Sequence, residues 1–189
     1  GMPRVTRLSD GTYFMAYENI AAGHDGIVAC RTSEDGLSWG DPAQTGMPVV
    51  AGGASARQCP EIACVEDGSR YGRLVLRGMN DTCAPNQCFT STDAGQTWQL
   101  MDAPLTAVRN ESRGSGWSGT FIAAGNCLYE LNNAYNGSYN EIRFGSGVVC
   151  GDRLIADGAE YKLVNAATGY CIGNRGAQQM GARLILQQD

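Results

Sequence analysis

The chain has 189 residues, 26 of them glycine, with only 17% charged side chains and a formal net charge of −5. That length holds one medium domain or one and a half small ones, and the glycine-rich, charge-poor composition favours a turn-rich all-β chain over a helical one. The negative balance argues against nucleic acid or an anionic membrane as partner, no run of about 18 apolar residues offers a membrane span, and no signal-peptide pattern is visible in the first residues.

Residues 3–8 read as a strand, Ser9-Asp10-Gly11 as a hairpin turn and residues 12–18 as a second strand. An Ala- and Gly-rich loop with His24 follows. Residues 26–31 are a third strand, leading into Thr32-Ser33-Glu34-Asp35-Gly36-Leu37-Ser38-Trp39. Four strands in about forty residues make one propeller blade. After a small-residue connection over 46–56 the programme repeats, with Pro60-Glu61-Ile62-Ala63-Cys64-Val65-Glu66-Asp67-Gly68 aligning on Pro3-Arg4-Val5-Thr6-Arg7-Leu8-Ser9-Asp10-Gly11. Residues 73–77 and 87–90 are its next strands, ending in Ser91-Thr92-Asp93-Ala94-Gly95-Gln96-Thr97-Trp98. Here Asp93 accepts backbone hydrogen bonds of its own turn, Gly95 supplies a positive φ, and the Trp98 indole packs on the neighbouring hairpin. The earlier copy has Thr32, Glu34 and Ser38 in place of Ser91, Asp93 and Thr97. Two copies about sixty residues apart indicate repeated blades. A third unit places strands at 117–123, 128–132 and 139–144, the first two joined around Ala124-Gly125-Asn126. Helical periodicity is absent. Trp39 and Trp117 are expected in the core, and Glu34 and Asp93 are read as structural.

The eight cysteines include no Cys-x-x-Cys pair, and His24 is the one imidazole. Zinc, or any other cofactor, is therefore not expected, and disulfides in a secreted protein are. Cys83 and Cys88 flank Ala84-Pro85-Asn86-Gln87 and are the first pair expected. Cys59 and Cys64 sit five apart around Pro60, so a bond between them requires a bulge or turn. Asn80-Asp81-Thr82, Asn110-Glu111-Ser112 and Asn136-Gly137-Ser138 fit secretion as glycosylation triplets.

The stretch from Ser91 to Trp98 resembles the Asp box of sialidases and other β-propellers. Residues 1–18, from Gly1-Met2-Pro3-Arg4 to Tyr17-Glu18, resemble a sialidase-superfamily blade and are most similar to secreted microbial exo-α-1,5-L-arabinanases of glycoside hydrolase family 93. Tyr161-Lys162-Leu163-Val164-Asn165-Ala166-Ala167-Thr168-Gly169-Tyr170-Cys171-Ile172 resembles the opening repeat of a ricin-type β-trefoil lectin, with Gly181-Ala182-Arg183-Leu184-Ile185-Leu186 as its next strand. The Trp and second Cys that usually end that repeat are missing. The resemblance implies an all-β chain: a partial β-propeller of about three four-stranded blades over 1–150, a linker over 151–159, and a truncated lectin repeat over 160–189. Since the family has six blades, it further implies the C-terminal half of a catalytic domain, completed by a missing N-terminal half or by a second copy in a homodimer. An oligosaccharide or polysaccharide is the implied ligand.

In a propeller, the start of each first strand and the end of each second strand share the channel mouth. Arg4 and Glu61 begin first strands and Glu18 ends a second, so Glu18 and Glu61 are the candidate catalytic carboxylates. Retaining glycosidases place two carboxyl groups about 5 Å apart, one as nucleophile and one as acid/base. The resemblance assigns acid/base to Glu18, with the nucleophile on an earlier blade, so little activity is expected of this chain alone. Tyr17 would wall Glu18 and raise its pKa. Glu61 either pairs with Arg4 or Arg57 or, with them, contacts sugar. His24 is a candidate hydrogen-bond donor to a sugar hydroxyl, and Tyr135 and Tyr139 are candidate stacking rings. The alternative is a carbohydrate-binding protein without catalysis.

Overall fold

The computed structural model describes residues 2–21, 23, 26–78, 87–102, 120–135, 140–150, 153–156, 163–164, 171–173 and 185–187. Among these, every regular element is a β-strand. The chain divides into two compact units, residues 1–157 and 158–189.

The larger unit contains three four-stranded antiparallel sheets. The first runs β1 (Arg4–Arg7), β2 (Tyr13–Glu18), β3 (Val28–Ser33) and β4 (Met47–Pro48). A small hairpin, β5 (Val50–Ala51) and β6 (Ala54–Ser55), follows. The second sheet runs β7 (Glu61–Val65), β8 (Arg73–Arg77), β9 (Gln87–Ser91) and β10 (Gln99–Asp102). The third runs β11 (Thr120–Ala124), β12 (Cys127–Tyr135), β13 (Asn140–Cys150) and β14 (Arg153–Ala156). The first strands adjoin, β7 lying against β1 on one side and β11 on the other. Three blades thus fan out from their first strands as a partial β-propeller.

Alternation along the strands explains the stacking. In the second blade Ile62, Leu74, Leu76 and Phe89 face the first blade, where Phe14, Ala16, Val28 and Cys30 complete one core. The intervening Ala63, Val65, Val75, Cys88 and Met101 face the third blade and meet Phe121, Leu128 and Val149 in a second core. Each fully buried Leu or Phe contributes about 1.5–3 kcal/mol. The Trp98 ring meets Phe14 edge-on at 6.0 Å and so joins the first two blades. Backbone bonds repeat this joint at the turns: Ser9 N–H donates to Tyr71 O (2.9 Å), and Glu66 N–H to Gly125 O (2.8 Å).

The Asp93 turn forms as its sequence dictates. Asp93 Oδ1 accepts from Thr97 N (2.9 Å) and Ser91 Oγ (2.7 Å), and Oδ2 from Thr97 Oγ1 (2.6 Å). Gly95 has φ +80°, and a Cβ there would lie 2.4 Å from the Phe14 ring. The first-blade copy is shifted by one residue. Asp35, not Glu34, accepts from Leu37 N, Ser38 N, Ser33 Oγ and Ser38 Oγ. The turn Ser33-Glu34-Asp35-Gly36 is one residue shorter than Ser91-Thr92-Asp93-Ala94-Gly95, so a gapless alignment places the wrong acid. Trp39 is half-buried rather than in the core, its indole N–H donating to Gly36 O at 3.1 Å. Trp117 lies outside the described residues.

Three further expectations change. The connection over 46–56 contains the edge strand β4 and the β5–β6 hairpin, the latter closed by Gly52-Gly53 with φ +56° and +80°. Pro48 is tolerated because β4 pairs on one side only. Within the expected linker, residues 153–156 are the fourth strand of the third blade, because Arg-Leu-Ile-Ala pairs back onto Gly147–Cys150. The expected pairing of Cys59 with Cys64 does not form: Cys30, Cys59, Cys64 and Cys127 are free thiols. The Cys64 thiol donates to Tyr71 O at 3.3 Å while Cys59 Sγ lies 3.2 Å from Met2 Sδ, so the two sulfurs serve different surroundings. The pairing of Cys83 with Cys88 involves Cys83, outside the described residues.

The smaller unit holds a three-stranded antiparallel sheet, β15 (Leu163–Val164), β16 (Cys171–Gly173) and β17 (Ile185–Gln187).

Candidate functional site

The antiparallel register sets Arg4, at the start of β1, opposite Ala16 near the end of β2; Glu61, at the start of β7, opposite Arg77 at the end of β8; and Phe121, near the start of β11, opposite Glu130 inside β12. Glu61 and Arg77 thus meet at the channel mouth of the second blade, and Glu130 enters from the third. The Arg77 guanidinium is the centre of the site. One of its nitrogens donates to Glu61 Oε2 at 3.2 Å and to Glu130 Oε1, and its carbon stands 5.5 Å over the Phe121 ring. Two hydrogen bonds to one nitrogen keep the two carboxylate oxygens within about 6 Å of each other.

Both carboxylates are buried. Glu130 is fully enclosed and its Oε2 has no hydrogen-bond partner among the described residues. An unsatisfied buried acceptor of this kind costs about 1–3 kcal/mol unless a ligand satisfies it. Glu61 is 5% exposed. Burial pushes its carboxyl above the ordinary carboxylate value, against the opposing pull of Arg77 and Arg4.

Backbone strain surrounds this cluster. Gln58 and Cys59, immediately ahead of Pro60-Glu61, have φ of +53° and +32°. Consecutive left-handed non-glycine residues are costly and persist where neighbours over-determine them. Here Gln58 N–H donates to Gly26 O (2.9 Å), and Ile27 bridges to Arg57. The Arg57 backbone also packs on Gly78, where a Cβ would lie 2.3 Å from Arg57 O. The segment is clamped between the first two blades and delivers Glu61 to the mouth.

Of the residues expected at the site, Arg4, Glu18 and Glu61 gather about Cys59, whose thiol feels all three charges. Burial and the two carboxylates raise that thiol while Arg4 lowers it. Arg57 Nε donates to Ser55 Oγ at 3.3 Å beside the mouth. Tyr17 is elsewhere. Adjacent strand residues point to opposite faces, and the Tyr17 hydroxyl accepts from Gly46 N (3.0 Å) and Arg31 Nε (3.3 Å), in a groove lined by Met15 and Trp39. It does not wall Glu18. His24 and Tyr139 lie outside the described residues, as does the side chain of Tyr135. Among the described residues, no three His, Cys, Asp or Glu side chains gather in a way that could hold a metal ion.

Arg77 and Glu130 were missed by the sequence reading. The signal that reaches Arg77 is the one that selected Glu18: it ends the second strand of its blade. Glu130 was hidden because it lies inside the expected strand 128–132 rather than at its end, in a β12 that runs on to Tyr135.

No protein-family model matches the chain, and no curated protein matches it. Solved structures do. The α-L-arabinofuranosidase Arb93A of Fusarium graminearum, complexed with an iminosugar inhibitor, is 18% identical, with a TM-score of 0.58 over 80% of this chain and 43% of that one. The Penicillium chrysogenum α-L-arabinanase complexed with arabinobiose is 20% identical, with a TM-score of 0.57 over 78% and 41%. The fold is that of β-propeller glycoside hydrolases. A third likeness, TM-score 0.54 at 18% identity over 78% and 42%, is to the Fusarium graminearum GH93 α-L-arabinofuranosidase with arabinobiose. The chain spans about two fifths of the length of these structures.

Proposed function

We propose that this chain carries the site of a secreted glycoside hydrolase acting on α-L-arabinofuranosyl-linked oligosaccharide or polysaccharide. The observation that carries the reading is the pair of buried carboxylates from neighbouring blades, Glu61 and Glu130, on one Arg77 nitrogen. Two carboxylates held on one nitrogen are compatible with the spacing of about 5 Å that retaining glycosidases keep between theirs. In this reading Glu61, in place of the Glu18 that the resemblance implies, gives its proton to the departing glycosidic oxygen, and both carboxylates then come from this chain. Glu130 forms a bond to the anomeric carbon as that oxygen leaves. Water, deprotonated by Glu61, then releases the sugar. Arg4 and Arg57 bind hydroxyls at the rim.

The test is hydrolysis of an aryl α-L-arabinofuranoside, with product configuration read by NMR. Retention is expected. Glu61→Gln and Glu130→Gln each lower kcat by about 10²–10⁴-fold. An unchanged rate in either variant contradicts the assignment.

We further propose that a second copy closes the ring. Val5, Tyr13 and Met15 occupy, by register, the places of Ile62, Leu74 and Leu76, which are buried against the first blade. Val5 is instead 52% exposed, and at the other end Ile122 is 49% exposed. Two copies related by a two-fold axis cover both ends at once. The tail over 160–189 is proposed as the start of a ricin-type repeat that adds sugar contacts.

A carbohydrate-binding role without turnover is favoured by a different aspect of the same site: the Arg77 contacts neutralise charge that a nucleophile needs. Binding of arabinobiose with no hydrolysis by the wild-type protein identifies that case.

A further inference from the structure

Glu18 does no chemistry in the reading above, yet it stands at the mouth beside a second polar side chain. We propose that Gln58 is a sugar-binding residue: its amide and the Glu18 carboxylate form, on the first-blade side of the mouth, a pair that hydrogen-bonds the hydroxyls of the sugar unit next to the one held at Glu61 and Glu130. The inference rests on the sugar site proposed above and extends it by one unit toward the first blade.

The backbone is the first observation. Gln58 has φ +53° and Cys59, after it, +32°. Non-glycine residues seldom occupy this left-handed region, and glutamine is not among the Asn, Asp and His that enter it most readily. Residues held there cluster at ligand clamps and persist where the surroundings over-determine them. The surroundings are clear in this case. Gln58 N–H donates to Gly26 O at 2.9 Å, and Ile27 bridges to Arg57. The strained backbone is thus fixed to the segment just ahead of β3, and it aims the Gln58 side chain at that segment.

Where the side chain goes is the second observation. Gly26, with φ +72°, leaves one face bare, and Gln58 and Glu18 both lie on it. A Cβ on Gly26 would stand 3.3 Å from Gln58 Cγ, 3.9 Å from its Nε2 and 3.4 Å from Glu18 Oε1. The missing side chain leaves room for an amide and a carboxylate together. Both residues are half-buried, so neither is sealed in the core. Their place is the mouth: Glu18 ends β2, and Arg4, Glu18 and Glu61 gather about Cys59, the neighbour of Gln58. Glu61 follows Gln58 by three residues, which keeps their Cα atoms within about 11 Å. An amide offers two donors and an acceptor, and an ionised carboxylate offers acceptors only. The pair therefore suits adjacent hydroxyls, each of which both donates and accepts.

Calorimetric titration of the wild type, Gln58→Gly and Gln58→Asn with arabinobiose and with arabinose tests the proposal. Glycine takes the left-handed backbone without strain and asparagine tolerates it, so both variants are expected to fold, with Tm no lower than that of the wild type. Each is expected to lose about fivefold to tenfold in affinity for arabinobiose, as removal of one hydrogen bond to a neutral sugar implies, and to lose less for arabinose. The ratio of the two losses decides, whatever the change in Tm. Unchanged arabinobiose affinity, or equal losses for the two sugars, overturns the proposal, and so does a wild type that binds no arabinobiose. Hydrolysis of the aryl arabinofuranoside is followed in the same proteins. Arabinobiose binding without hydrolysis by the wild type contradicts the hydrolase reading and leaves Gln58 to be judged by the ratio.

Discussion

At the residue scale, two kinds of buried or half-buried acid have opposite consequences. Glu61 is raised by burial, so whatever stability its neutral form contributes is present at low pH and declines as pH rises from the unfolded glutamate value, about 4.3, through the folded one. Asp93 and Asp67 go the other way. Burial works to raise both, but hydrogen bonds outweigh it, from Thr97, Ser91 and Gln96 to Asp93, and from Ser69 with the Arg73 charge to Asp67. Their contribution is present above the unfolded aspartate value, about 3.9, and is lost as pH falls through the folded value. Asp93→Asn is therefore expected to lower Tm at pH 7 and to lose less between pH 5 and 3 than the wild type does. Equal acid sensitivity in both proteins, measured by calorimetry, contradicts the role given to this turn. Thiols give a second check. Burial pushes Cys30 up to about 12 and, with small offsets from Ser9, Cys64 up to about 11. Both should resist alkylation in the native protein at pH 8 and react once it is denatured, as mass spectrometry of the labelled peptides will show.

At the element scale, the joints between blades rest on close backbone approaches. Gly78 has no room for a Cβ against Arg57, and it fixes the segment that presents Glu61. Gly78→Ala should cost about 1–3 kcal/mol, from overpacking, and should also weaken sugar binding at the mouth. Chemical denaturation measures the first and titration with arabinobiose the second. A stable variant with unchanged binding contradicts the joint's role. Much at this scale was legible in the sequence. Alternation and Asp-Gly and Gly-Asn turns locate most blade strands, because hairpin chemistry is local. The fourth strands of the first and third blades were not legible. Met47–Pro48 and Arg153–Ala156 are too short to show periodicity, and their pairing is decided by the neighbouring strand. The Asp35 turn was misread for a related reason: hydrogen bonds specify the acid, and they tolerate a turn one residue shorter.

At the scale of the whole molecule, the site was half legible. The rule that first-strand starts and second-strand ends share one mouth finds Arg4, Glu18 and Glu61. It also reaches Arg77 when applied to every blade. What joins Glu61 to Glu130 is the packing of β7 against β11, a contact between segments about sixty residues apart that no local pattern carries. The same packing argument makes oligomeric state a test. Sedimentation equilibrium should give twice the 20.0 kDa chain mass, and Val5→Glu should shift it to the monomer. A wild-type monomer contradicts closure by a second copy.

The most direct test of the central claim is to titrate isotope-labelled protein with arabinobiose and map the NMR shifts. The account predicts saturable changes centred on Arg4, Glu61, Arg77 and Glu130, lost or weakened by at least about tenfold in Glu130→Gln, which removes a charged acceptor. Shifts confined to the Asp35 and Asp93 turns on the opposite face, or identical binding by Glu130→Gln, contradict it.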